Sequence, residues 1–197
     1  MALGRKAKRP SKEQFEALVA HVLTTSRRPV RDLVIVLFNF KEGMRAIEIG
    51  SIRWRMVLDA RGEIGRVVAL EDRASKGRSG RVIPMHPWLA EALAKLRPSV
   101  LDPDELIIHF QKGSRDRVTR SSAVQALFRA WYRALRIHGA SSHSGRRTFG
   151  TKGAQEAPNV GASLRDVQQL LGHASLHTTQ RYIDVDLEAQ RQLVELV

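Results

Sequence analysis

Apolar positions change their period twice along the chain, and each change marks a shift in expected structure. Phe15, Leu18, Val19 and Val22 recur at the one-face spacing of an amphipathic helix. Ser11 and Gln14 precede them as a capping box, in which each side chain answers an orphan N–H of the first turn. The stretch from Thr24 to Pro29 breaks this helix, and Pro29, pre-set for a first turn, predicts the start of another. The second helix is apolar all round from Leu33 to Phe40, which makes it central, and Gly43 ends it. A short third helix holds Ala46 to Ile52. The period then falls toward two. Met56 to Leu58, Gly65 to Leu70 and Arg81 to Met85 read as three strands joined by turns at 59–62 and 76–80. Helices return at Pro87 to Leu96, around Val124, Leu127, Phe128 and Trp131, at Leu164 to Leu171, and at Leu187 to Leu196. Gly150 to Ser163 reads as a loop or frayed helix. The expected fold is α+β and mainly α-helical, a single helical domain with a small three-stranded antiparallel β-sheet. Residues 1–10 read as a flexible basic arm and residues 187–197 as a C-terminal tail helix.

Charge adds what the pattern does not. The 197 residues hold 33 Lys and Arg against 20 Asp and Glu, a net charge of +13. Such an excess repels itself unless a polyanion neutralises it, and nucleic acid is the default partner. The chain has no cysteine, which excludes disulfides and thiolate chemistry. Its longest apolar run, Leu33 to Phe38, is too short to span a bilayer, and no apolar stretch follows the basic N-terminus as a secretory signal requires.

Chemistry concentrates in the last third of the chain. His143-Ser144-Gly145-Arg146, Leu171-Gly172-His173 and Tyr182 form a set suited to attack on a phosphodiester by a tyrosine hydroxyl, without a metal or other cofactor. That reaction needs a nucleophile, neutralisation of the non-bridging oxygens, a proton acceptor and a donor for the leaving oxygen. Arginine suits the second task, since its fork donates two parallel bonds and keeps its charge. Arg146 stands out by context, as does Arg45 at the turn after Gly43, although Arg45 with Glu48 also reads as a structural ion pair. Tyr182 is the candidate nucleophile; neighbouring arginines would lower a phenol pKa of about 10. On residue type alone the core-tyrosine reading is the stronger one. Lys76, in a Gly-rich turn, is either a movable cation for a leaving 5′ oxygen or a solvated turn lysine. His173 and His177 are four apart but lack an HExxH pattern or a carboxylate partner, so no metal site is expected. Residues 76–80 lack the Walker spacing, and no Ser-His-Asp arrangement can be singled out.

Four boxes in chain order resemble the catalytic domain of the tyrosine recombinase, or phage integrase, family over about residues 11–186. Gly43-Met44-Arg45-Ala46-Ile47-Glu48-Ile49 is similar to the family's Gly-Leu-Arg-x-Ser-Glu-Leu box, continued by Ile52-Arg53-Trp54. Lys76, Arg81 and Pro84 hold the register of the family's strand-turn lysine, arginine and proline. His143-Ser144-Gly145-Arg146-Arg147-Thr148-Phe149 resembles the His-x-Leu-Arg box. Leu170-Leu171-Gly172-His173 through Thr179-Gln180-Arg181-Tyr182 resembles the terminal box, with its nine-residue step from histidine to tyrosine. Each box alone is weak; all four in order are specific.

The resemblance implies the DNA breaking-rejoining type of fold and site-specific DNA recombination by a cytoplasmic, nucleoid-associated enzyme. Tyr182 would attack the scissile phosphate to give a 3′-phosphotyrosyl bond. Arg45 and Arg146 would clamp the phosphate, His143 would move the proton, Lys76 would protonate the 5′ oxygen, and His173 would hydrogen-bond the phosphate. Glu48 would hold Arg45 from behind. Arg78, Arg81, Arg147 and Arg181 are the expected DNA contacts. The implied partner is double-stranded DNA with specific target sites, bound as a homotetramer. Type IB topoisomerase-like relaxation and a catalytically idle DNA-binding regulator are the rival readings. Leu171-Gly172-His173 argues against the first, and the presence of all six catalytic residue types argues against the second.

Three departures set further expectations. Gly145 stands where the family has leucine, which would loosen the helix carrying Arg146. Arg146 and His173 are 27 residues apart, longer than the common spacing, which predicts an enlarged loop within 156–163. About ten residues precede the first helix, so no N-terminal core-binding domain is expected in this chain, and the lone chain should bind DNA weakly.

Overall fold

A computed structural model describes residues 7–71, 80–98, 102–110, 120–180, 191 and 194–195. The mainly helical architecture with a small antiparallel sheet is as expected. The helices are α1 (Lys12–Thr25), α2 (Pro29–Phe40), α3 (Ala46–Ser51), α4 (Pro87–Leu96), α5 (Arg120–Ala134), α6 (Ser144–Glu156), α7 (Leu164–Leu171) and α8 (Leu176–Gln180). The capping box of α1 forms: Gln14 N–H donates to Ser11 Oγ at 3.2 Å and Ser11 N–H to Gln14 Oε1 at 3.1 Å. Every residue of α2 from Asp32 to Phe40 is buried, as its all-round apolar pattern requires. Each buried Val, Leu, Ile or Phe there contributes roughly 1.5–3 kcal/mol, so α2 is the axis on which the other elements are hung.

The sheet is smaller than expected. Strands β1 (Val67–Leu70) and β2 (Arg81–Pro84) pair antiparallel, with Val68 opposite Ile83 and Leu70 opposite Arg81. Val68, Leu70 and Ile83 face the core, while Val67 and Val82 face outward, which is the two-residue alternation of a one-sided sheet. Met56 to Leu58 is not a third strand. The Val57 and Leu58 amides both return to Trp54 O, closing a 3₁₀ turn, and only a single bridge joins Leu58 to Ile64. Local backbone bonds win there because a three-residue apolar run has too few ladder bonds to outweigh them.

Two other expectations are revised. Gly150 to Ser163 is mostly helical: α6 runs to Glu156, and a 3₁₀ turn (Ala157–Val160) follows it. The path toward α7 therefore closes with Gly161 in the left-handed region and Ser163 as the next cap, rather than through an open loop. Gly145 does not loosen α6. A Cβ there would lie 2.2 Å from Asn39 Oδ1 and 2.5 Å from Phe40, so its absence lets α6 close onto α2. The end of the N-terminal arm is held, since Lys8 N–H donates to Gly139 O at 2.9 Å and Arg147 Nη1 to Ala7 O at 2.7 Å.

Candidate active site

The turn after α2 builds the first half of the site. Gly43 has φ +61°, and a Cβ on it would sit 2.6 Å from the Phe149 ring, so this bend and this contact both need glycine. Asn39, wholly buried, donates from Nδ2 to Met44 O and to Ser142 O, each at 2.9 Å. One amide thus pins the segment before Arg45 to the segment before His143. Arg45 then stands at the N-cap of α3. Its amide donates to Glu48 Oε2 at 2.7 Å and its Nη1 to Glu48 Oε1 at 2.9 Å.

Glu48 is fully buried and is shared. Arg81 Nη1 and Nη2 donate to its two oxygens at 2.9 and 3.1 Å, a bidentate fork. Burial alone would raise the Glu48 pKa. The Arg81 fork, the Arg45 amide and the charge of Arg146 outweigh it and hold the carboxyl below its ordinary value, so the group is ionised.

The end of α7 builds the second half. Gly172, left-handed at φ 60° and ψ 46°, terminates the helix. Its amide reaches Gln169 O at 2.9 Å and the His173 amide reaches Gln168 O at 3.1 Å, the paired bonds of a Schellman cap. Two carbonyls of the last turn remain. Arg81 Nε donates to Leu170 O at 2.7 Å and Arg146 Nη2 to Leu171 O at 2.5 Å. All four terminal carbonyls of α7 are therefore satisfied, two by backbone and two by arginine, at the end where the helix dipole favours positive charge. Arg146 Nη1 also donates to Gly43 O at 2.6 Å, so this arginine, 3% exposed, ties the Gly43 turn to α7.

His173 follows the cap and is half-buried. Its Nδ1 lies 2.9 Å from Thr179 Oγ1, and its carbonyl accepts from Gln168 Nε2 at 2.9 Å. Burial, then the charges of Arg146, Arg45 and Arg81, push its pKa down to about 4 against a smaller opposing effect of Glu48, so the ring is neutral at pH 7. His143 is exposed at the N-cap of α6, one turn before Arg147, and its amide donates to Ser141 Oγ at 3.2 Å.

The structure thus gathers Arg45, Glu48, Arg146 and His173 around the Gly43 turn and the α7 cap, and places His143 at the head of the helix bearing Arg146. Lys76, Arg78, Arg181 and Tyr182 lie outside the described residues. Arg147 holds the arm through Ala7 O. Arg81, expected on DNA, has all three guanidinium nitrogens on protein acceptors. Tyr132, the other tyrosine, is buried in α5, and burial pushes its phenol far above the ordinary value, which disfavours a phenolate there. Sequence reasoning missed Asn39 and Thr179. Thr179 sits inside the terminal box, six residues after His173, but nothing in hydropathy separates it from its neighbour Thr178.

Converging guanidinium groups, a neutral imidazole and a buried anchoring carboxylate form an arrangement whose chemistry suits a tetrahedral oxyanion. The profile described as Phage integrase family matches residues 8–189, and the chain belongs to that family. It is 29% identical over 192 residues to the tyrosine recombinase XerA of Thermococcus kodakarensis, an alignment covering 94% of this chain and 61% of that protein. It is likewise 29% identical over 185 residues to a tyrosine recombinase XerC of Staphylococcus epidermidis, covering 92% of this chain and 58% of the relative. The chain therefore spans about three fifths of these relatives' length. The fold is shared with a crystal structure of XerA recombinase, at TM-score 0.68 and 21% identity over 96% of this chain and 64% of that one. It is shared too with XerH site-specific recombinase bound to palindromic difH substrate, at TM-score 0.68 and 20% identity over 97% of this chain and 53% of that one.

Proposed function

We propose that this chain breaks and rejoins DNA at specific sites through a 3′-phosphotyrosyl intermediate. The observation that carries the reading is the shared anchoring of Arg45 and Arg146. One is held by buried, ionised Glu48 and the other by two backbone carbonyls, so both guanidinium groups are positioned before any substrate arrives. In this reading Tyr182 attacks phosphorus, and the bond from phosphorus to the 5′ oxygen breaks. Arg45 and Arg146 take up charge on the non-bridging oxygens, and His173, neutral in this surrounding, hydrogen-bonds one of them. His143 receives the tyrosine proton and Lys76 supplies one to the leaving 5′ oxygen. The phosphotyrosyl bond conserves the phosphodiester energy, so attack by another 5′ hydroxyl reverses the step and exchanges strands.

The substrate in this reading is double-stranded DNA with a specific target sequence, held by phosphate contacts from Arg78 and Arg181. Arg147 presents the basic arm through Ala7 O. The net charge of +13 supports such a polyanionic partner, and none of the described helices is long and apolar enough to cross a membrane. The active assembly is a homotetramer on DNA. Its support is the apolar spacing of Leu187, Leu193 and Val194 in the tail, together with an apolar groove of about 840 Å³ that includes Phe15, Val19, Phe40, Trp88 and Phe149. Deleting residues 187–197 should abolish higher assembly on DNA while leaving the monomer folded, as native gels and circular dichroism would record; unchanged assembly would refute docking between subunits.

The decisive test uses a nicked suicide substrate carrying the flanking DNA. Wild type should form a detergent-resistant covalent adduct and Tyr182→Phe none. An adduct from Tyr182→Phe would remove Tyr182 as nucleophile.

A further inference from the structure

Arg81 sits where three parts of the site meet. From the first residue of β2 it reaches Leu170 O at the α7 cap with Nε, and both oxygens of Glu48 with Nη1 and Nη2. Only 6% of its side chain is exposed. Gly172 makes room for it, because a Cβ there would come within 2.9 Å of Arg81 Nη1 and 3.0 Å of Cδ. Glu48 in turn holds the amide and guanidinium of Arg45. An unbroken chain of charge-assisted bonds therefore runs from the turn bearing His173, through Arg81 and Glu48, to Arg45.

We propose that Arg81 is a positioning residue for strand cleavage: it fixes the separation between Arg45 and the His173 turn, and it does not itself hold DNA. The inference rests on the phosphotyrosyl reading above. Its physical content is the fork. A guanidinium bound bidentately to a carboxylate fixes the plane of both groups, and a third bond from Nε locks that plane to the backbone of α7. The two bonds that Glu48 makes to Arg45 are then aimed by the two it accepts from Arg81. Lysine at this position would keep the charge beside Glu48 and lose the geometry. The same bonds set Arg81 apart from the phosphate contact expected from sequence: its bidentate face, the one that would grip a phosphate, is already closed on the Glu48 carboxylate, and its Nε is held by Leu170 O.

The test compares wild type, Arg81→Lys and Arg81→Met on the nicked substrate with its flanking DNA. DNA affinity is measured in parallel across a salt series. Adduct formation by both variants should slow by about 10–100-fold, the size expected when a reacting-group clamp is misplaced. Affinity and the log–log salt slope should stay at wild-type values. Weaker binding with a slope shallower by about 1 would place Arg81 on a phosphate and overturn the proposal. Arg81→Lys guards against simple unfolding, because a cation still faces the buried carboxylate; a wild-type rate from it would also overturn the proposal.

A second substrate separates positioning from general weakening of the fold. A methylphosphonate at the scissile position removes the negative charge that Arg45 answers. If Arg81 acts through Arg45, the deficit of Arg81→Lys should shrink several-fold on this neutral substrate. An equal deficit on both substrates would assign Arg81 a merely structural part. Absence of any adduct from wild type would remove the cleavage reading itself, and the inference with it.

Discussion

Glu42 and Glu48 lie six residues apart on either side of the Gly43 turn, both 0% exposed, and burial takes them in opposite directions. Glu42 accepts one bond, from the His86 amide at 2.9 Å, and its Oε2 is buried without a partner. Burial pushes its pKa up to about 8, so at neutral pH it is mostly a protonated acid supporting the start of α4. Glu48 is as deeply enclosed but receives the Arg81 fork, the Arg45 amide and the field of Arg146, and it stays ionised. Enclosure alone discharges a carboxylate, whereas arginine partners restore the charge. Glu48 keeps its buried charge beside the arginines that it anchors.

Removing the charge of Glu48 should have the largest effect. Glu48→Gln leaves two guanidinium groups without their shared anion, and the loss of stability in urea titrations should be about 3–5 kcal/mol. Adduct formation should fall with it. A Glu48→Gln protein as stable as wild type would mean that the carboxylate was never the hub of the cluster. Glu42→Gln should do the reverse. It removes the work of protonating a buried acid, so stability at pH 8 should rise by on the order of 1–3 kcal/mol with adduct formation unchanged.

The pH dependence sharpens the same contrast at smaller amplitude. Glu42 has a folded pKa above its unfolded one, so its contribution is fully present below about pH 4.5 and is lost as pH rises toward 8. His173 has a folded pKa of about 4, below its unfolded value, so its contribution is present above about pH 6.5 and is lost as pH falls toward 4. The two slopes oppose each other between about pH 4.5 and 6.5. Above that window Glu42 acts alone, and wild type should lose about 2 kcal/mol between pH 6.5 and 8. Thermal melts of Glu42→Gln should show that decline abolished; an unchanged decline would assign it to another group.

Much of this was legible in the sequence because it is written in local rules. The capping box of α1, the buried run of α2 and the Leu171-Gly172-His173 terminator each depend on residues within one or two turns of one another. Met56 to Leu58 was misread as a strand because a short apolar run does not specify whether its amides turn back or pair across. The role of Arg81 was hidden for a different reason. Its partners, Glu48 and Leu170, lie 33 and 89 residues away, and a surface arginine and a buried one have the same letter. Gly145 was read as a weakness by helix propensity, whereas its reason is the Asn39 side chain more than 100 residues earlier. For Lys76 and Tyr182 only the resemblance outweighs the bland reading, and both lie outside the described residues.

Every step of the proposed reaction passes through a covalent link between Tyr182 and a DNA 3′ end. Its most direct measurement is mass spectrometry of the nuclease- and protease-digested adduct from the nicked substrate. The expected product is a nucleotide joined through its 3′ phosphate to the peptide containing Tyr182, with a free 5′ hydroxyl on the departing strand. A linkage through another residue, or through a 5′ phosphate, would contradict it.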